Sequence, residues 1–135
     1  MCQILTSAKP EKRTQGMNWL SKPKRLSIYL RDGLACAYCG STLEDGSKLT
    51  LDHLTPYSLG GSNEAGNLIT CCSKCNSSRG NRPVETFAEA TAAYLNHGLT
   101  GQDIMNHILD CIARPLDVTA AKEMIARRGW WVRSK

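Results

Sequence analysis

Two cysteine pairs, Cys36-Ala-Tyr-Cys39 and Cys72-Ser-Lys-Cys75, constrain this chain more than any other feature. Each Cys-x-x-Cys lets two thiolates converge on one tetrahedral ion, and two such knuckles complete a closed four-cysteine site suited to structural Zn²⁺. The alternatives are free buried thiols or a redox pair. A disulfide framework fits poorly, because it wants an even count and a secretory signal. Here seven cysteines occur in 135 residues, and Cys2, Cys71 and Cys111 have no Cys-x-x-Cys partner. The apolar start Ile4-Leu5 gives way at once to polar residues, so the chain reads as intracellular and cytoplasmic. The 32 residues between Cys39 and Cys72 exceed the roughly 15–20 of a zinc ribbon, so the ion should clasp the base of a larger insertion. Cys71 reads as a buried strand thiol; slippage between it and Cys72 stays open, with the spacing favouring Cys72.

The length has room for one domain with appended elements. Apolar runs such as Ala92-Ala93-Tyr94-Leu95 fall far short of the roughly 20 residues that span a bilayer, so no membrane partner is expected. The net charge is +5, and residues 1–35 hold seven Lys and Arg against two Asp and Glu, so the excess sits at one end. A basic end suits an anionic partner, most often nucleic acid, or else serves as a solubilising tail. Residues 1–20 lack any sustained period and read as a flexible basic arm.

Ser21 can cap a helix that starts near Pro23, runs through Leu26, Ile28, Tyr29 and Leu30, and stops at Gly33. Ser47 to His53 alternates as a strand, the turn formers of Leu54 to Gly66 make a loop, and Asn67 to Thr70 returns as the second strand of a hairpin. After the second knuckle a short helix is expected from Asn76 to about Asn81, broken at Arg82-Pro83. Beyond Pro83 three helical stripes follow: Val84 to Leu95; a segment capped by Thr100 and stopped by Pro115; and Val118 to Ile125, ending at Gly129 before Trp130-Trp131. They suit a helical subdomain, a lid or a dimer surface.

Between the knuckles stands Leu51-Asp52-His53-Leu54-Thr55-Pro56-Tyr57-Ser58-Leu59-Gly60-Gly61-Ser62, then Asn67-Leu68, then Cys72-Ser-Lys-Cys75-Asn76-Ser-Ser-Arg79-Gly80. In this order the set resembles the HNH endonucleases over about residues 24–83, with Arg31-Asp32-Gly33 as the lead-in to the first knuckle. The resemblance implies an α+β fold: a small zinc-stapled ββα-metal core, preceded by a helix and basic arm and followed by a helical extension. The units are then residues 1–20, 21–83 and 84–135. It also implies an enzyme that hydrolyses DNA phosphodiester bonds, with double-stranded DNA as partner. One departure is visible: the third signature residue is Asn76 and not His, which bears on metal affinity and preference.

The chemistry fits those residue types. Phosphodiester hydrolysis needs an activated water, a cation to take charge building on the phosphate, and groups that hold both in line. A neutral imidazole accepts a proton near physiological pH, which makes His53 the natural general base. Asp52 and Asn76 offer hard oxygens to Mg²⁺, or to Mn²⁺ or another divalent ion. Adjacent strand residues point to opposite faces, so Asp52 and His53 share a site only where the strand ends or bends. By resemblance, Asn67 orients the loop or the imidazole and does not bind metal. Arg79, three residues after Asn76, should contact phosphate near the cut. Lys22, Lys24, Arg25, Arg31 and Arg82 are further expected DNA contacts. His97 and His107, in the helical tail, read as surface or packing residues. The competing reading is a non-catalytic zinc-stapled DNA-binding module. A homodimer would supply the two active sites that double-strand cutting wants.

Overall fold

A computed structural model describes residues 20–128. The basic arm as far as residue 19, Cys2 and Trp130-Trp131 lie outside the described residues. The first helix, α1 (Lys22–Arg31), begins as its residues predict, with the Ser21 hydroxyl accepting from the Lys24 amide and a proline in the first turn. It ends at Asp32, where Gly33 at φ +84° turns the chain into the first knuckle. A φ in that range suits glycine, which has no Cβ to clash.

Strands β1 (Leu49–His53) and β2 (Leu68–Cys72) pair antiparallel, with Leu49 opposite Cys72 and His53 opposite Leu68. Both faces of this hairpin are covered, which the alternation of apolar and polar residues does not reveal. Leu49, Leu51 and Leu68 pack with Leu26, Ile28 and Tyr29 of α1. Thr50 and Asp52, the polar alternates, are also buried, because the opposite face is roofed by α2 (Ser73–Arg79) and the knuckles. Helix α2 starts three residues earlier than Asn76. Cys72, in an extended conformation, caps it by accepting the Cys75 amide on its sulfur at 3.4 Å. Cys75 and Asn76 therefore ride on the helix itself.

The helices beyond Pro83 cover the core and do not stand apart from it. Helix α3 (Val84–Leu95) ends on Asn96 in the left-handed region, and α4 (Gly101–Ala113) begins with a reciprocal capping box between Thr100 and Asp103. The two helices cross closely at Gly101, where a Cβ would stand 2.9 Å from Glu89 Cγ. Phe87, Ala88, Ile104 and Ile108 share one apolar cluster with Cys36, Tyr38, Ile69 and Cys72. Helix α5 (Val118–Arg128) returns to α1 and adds Ala121, Met124 and Ile125 to the second cluster. Among the described residues, no helix is long and apolar enough to cross a membrane.

Candidate active site

The hairpin base brings both knuckles together. The sulfurs of Cys36, Cys39, Cys72 and Cys75 lie within 4.8 Å of one another. Backbone amides within each knuckle point at the first sulfur, Cys39 N at Cys36 and Cys75 N at Cys72. The thiols compete for protons: hydrogen bonds from its neighbours, Cys39 first, push the Cys36 thiol down, while bonding to Cys36 together with burial pushes Cys39 and Cys75 up. A divalent cation at the centre would let all four ionise, so the donor set fits a metal ion. Cys71 stands apart from the set; it is buried on β2 and its thiol donates to the Cys72 carbonyl.

One step from the knuckle, Tyr38 reaches the candidate catalytic strand. Its ring packs edge-on against Phe87, with centroids 4.9 Å apart, and its hydroxyl donates to Asp52 Oδ2 at 2.9 Å. Asp52 is only 5% exposed, and the same oxygen pairs with Arg79 Nη1 at 2.7 Å. Burial raises the Asp52 carboxyl above its ordinary value, opposed by Arg79 and by the Tyr38 bond. Among the described residues, Asp52 Oδ1 accepts no hydrogen bond. Asn76, on α2, donates its amide to Thr50 Oγ1 at 2.8 Å and to the Leu51 carbonyl at 3.3 Å. A carbonyl can only accept, so that end of the amide is the nitrogen, and Asn76 Oδ1 is likewise left without a partner among the described residues. Two oxygens of the type that hard cations take are thus held on β1 and α2 by bonds to their other atoms.

Arg79 departs from the expected phosphate contact. It is 2% exposed and spends its guanidinium inside the protein. Besides Asp52 it donates to the carbonyls of His53 at 2.8 Å, Leu54 at 2.7 Å and Arg82 at 2.8 Å. The end of β1 and the turn after α2 leave carbonyls facing inward, and buried carbonyls need donors. Arg79 supplies them, so its function here is to fix the strand end that carries Asp52 and His53.

His53, the last residue of β1, turns its ring to the following loop. Nε2 lies 2.8 Å from Asn63 Oδ1, and the Tyr57 ring stands at 5.8 Å between centroids. Asn67 clamps that loop. Its Oδ1 accepts from the Thr55 amide at 2.8 Å, and its Nδ2 donates to the carbonyls of Thr55 at 3.1 Å and Ser62 at 2.8 Å. Of the two roles the resemblance allows Asn67, these hydrogen bonds serve the loop. Gly61 is required where the loop closes: a Cβ there would lie 1.8 Å from the Thr55 carbonyl oxygen.

The expected DNA contacts divide. Lys22 and Arg82 are exposed and Lys24 is half-buried. Arg82 rests its guanidinium over the Phe87 ring at 5.1 Å and donates to Ser78 O. Arg25 and Arg31 are each 7% exposed, which removes them from the surface expected of them. Arg31 forms a fork on Asp32 at 2.7 and 3.1 Å and donates to the carbonyls of Ala65 and Leu68, while Asp32 accepts the Thr70 amide. This network pins α1 to the start of β2. Tyr38, Thr50 and Asn63 do not stand out in the sequence. Tyr38 sits at an unspecified position of a knuckle, Thr50 reads as an ordinary strand residue, and Asn63 as one turn former among several.

Residues 36–90 match the model of the HNH endonuclease family. The CRISPR-associated endonuclease Cas9 of Corynebacterium diphtheriae is 34% identical over 82 residues, covering 56% of this chain and 8% of that protein. The CRISPR-associated endonuclease Cas9 of Actinomyces naeslundii is 39% identical over 66 residues, 48% of this chain and 6% of that protein. The chain therefore spans under a tenth of the length of these relatives. The crystal structure of the Type II-C Cas9 enzyme from Actinomyces naeslundii aligns with 89% of this chain and 12% of its own, at 23% identity and a TM-score of 0.47.

Proposed function

We propose that this chain, whose residues 36–90 match the HNH endonucleases, is a divalent-metal-dependent DNA endonuclease with His53 as its general base. The observation that carries the reading is the pair of unpartnered oxygens, Asp52 Oδ1 and Asn76 Oδ1, beside the strand end that bears His53. Mg²⁺ or Mn²⁺ held by those oxygens would supply charge stabilisation for the phosphate and the departing oxygen. His53 takes a proton from water as the water oxygen bonds to phosphorus. The bond from phosphorus to the 3′ oxygen breaks, giving a 5′-phosphate, and the 3′ oxygen recovers a proton from solvent.

The remaining groups hold this arrangement rather than react. Arg79 and Tyr38 fix one oxygen of Asp52, Thr50 fixes the amide end of Asn76, and Asn67 closes the loop beside His53. The four cysteines hold structural Zn²⁺, and Tyr38 carries the order of that site to Asp52. Lys22, Lys24 and Arg82 supply phosphate contacts to duplex DNA. Cutting both strands would use two copies of the site, hence a homodimer, whereas one chain suffices to nick.

The test uses supercoiled plasmid with zinc-loaded protein, Mg²⁺ or Mn²⁺, and EDTA controls. Cleavage should require the added ion, and Asn76→Ala should raise the ion concentration needed for half-maximal rate. Plasmid left intact under every metal would support the non-catalytic DNA-binding module instead.

A further inference from the structure

The loop between the strands places Asn63 against His53, and we infer that Asn63 is the positioning residue for that imidazole, holding it as the Nε2–H tautomer so that Nδ1 is the basic nitrogen. The inference rests on the reading of His53 as general base and adds to it the residue that makes it competent. Nε2 lies 2.8 Å from Asn63 Oδ1. That nitrogen is occupied whichever way the amide faces, so taking a proton from water falls to Nδ1. Nδ1 has a lone pair only when Nε2 carries the hydrogen, and this needs an acceptor opposite Nε2. The side-chain carbonyl of Asn63 is that acceptor.

Asn63 can do this because both of its chain neighbours are pinned to one residue. The Ser62 carbonyl accepts Asn67 Nδ2 at 2.8 Å, and the Glu64 carbonyl accepts the Asn67 backbone amide at 2.8 Å. Asn67 in turn is tied through its side chain to both polar groups of the Thr55 backbone, and the Leu54 amide donates to its carbonyl at 2.8 Å. The Gly61 amide closes the loop on the Pro56 carbonyl at 3.0 Å. Residue 63 is thus fixed relative to the end of β1, and Tyr57 limits the ring from another side. Asn67, whose own side chain is spent on Thr55 and Ser62, governs the imidazole through Asn63.

The experiment compares wild type with Asn63→Leu, which keeps the size and removes the acceptor, and Asn63→Asp, which keeps an acceptor at the same reach. The full chain is loaded with zinc. Two quantities are read: the ring-nitrogen NMR spectrum of His53, assigned with His53→Gln, and the steady-state rate of plasmid nicking with Mn²⁺. Wild type and Asn63→Asp should show the Nε2–H tautomer. Asn63→Leu should show a mixture and lose about a hundredfold in kcat with KM unchanged, because a base displaced by about 1 Å loses that much. Asn63→Asp should restore most of the rate. A wild-type ring protonated on Nδ1, or an Asn63→Leu variant with the wild-type tautomer and rate, overturns the inference. If wild type does not nick at all, the nuclease reading fails, while the ring spectrum still decides the brace.

Discussion

Replacing Arg79 by methionine should unfold this protein far more readily than it slows any chemistry. The guanidinium is 2% exposed and serves four acceptors: Asp52 Oδ2 at 2.7 Å and the carbonyls of His53, Leu54 and Arg82 at 2.7–2.8 Å. Removing one partner of a buried ion pair costs about 3–5 kcal/mol, since the other charge is left uncompensated. Each buried carbonyl stripped of its donor adds about 1 kcal/mol where water does not reach it. A loss of about 4–7 kcal/mol results, a large part of the roughly 5–15 kcal/mol that stabilises a domain. The assay is denaturant unfolding of zinc-loaded protein, read as the shift in midpoint at unchanged slope. The sign with pH is also fixed. Burial already holds the Asp52 carboxyl above its ordinary value, and Arg79 is the main group opposing that rise. Without Arg79 the folded-state value climbs further, and stability is lost as pH rises through it, so the defect should be larger at about pH 8 than at about pH 6. The double variant Asp52→Leu with Arg79→Met should lose less than the sum of its parts, because no charge is then stranded. A loss below about 1 kcal/mol in Arg79→Met would refute the placement of this side chain and restore it to the surface as a phosphate ligand.

Other outcomes follow from the same geometry. One tightly bound zinc per chain should be found by metal analysis, and Cys39→Ser or Cys75→Ser should abolish the cooperative unfolding transition, since the four sulfurs lie within 4.8 Å beside an apolar cluster. Gly61→Ala should open the loop, because its Cβ would meet the Thr55 carbonyl oxygen at 1.8 Å; a nicking rate within threefold of wild type would contradict this. Lys22→Ala, Lys24→Ala and Arg82→Ala should each weaken DNA binding and reduce the salt slope by about 0.9 for every phosphate no longer neutralised, measured by titration at several salt concentrations. Arg31→Ala should instead lower the melting temperature, because Arg31 holds Asp32, Ala65 and Leu68 inside the protein.

What the sequence shows and what it hides divide along local and non-local lines. Ser21 and Thr100 are readable as caps because a cap bonds to residues two or three positions away. The knuckles are readable because their spacing alone fixes how two thiolates converge. Arg31 and Arg79 depart from the surface role their charge suggests for one reason. A charge count treats every guanidinium as solvated, yet each is drawn inward by backbone carbonyls of another element, more than 20 residues away. Tyr38 and Asn63 carry no signal of their own. Their roles arise only when the hairpin sets a knuckle beside Asp52 and a loop residue beside His53.

The reading of this site as a nuclease stands or falls on His53. The decisive measurement is the nicking rate of supercoiled plasmid by zinc-loaded His53→Ala beside wild type, in Mn²⁺, with circular dichroism confirming that both are folded. Loss of a general base should lower the rate by about 10²–10⁴-fold with the zinc content unchanged. Equal rates in the two proteins would contradict a general-base role for His53.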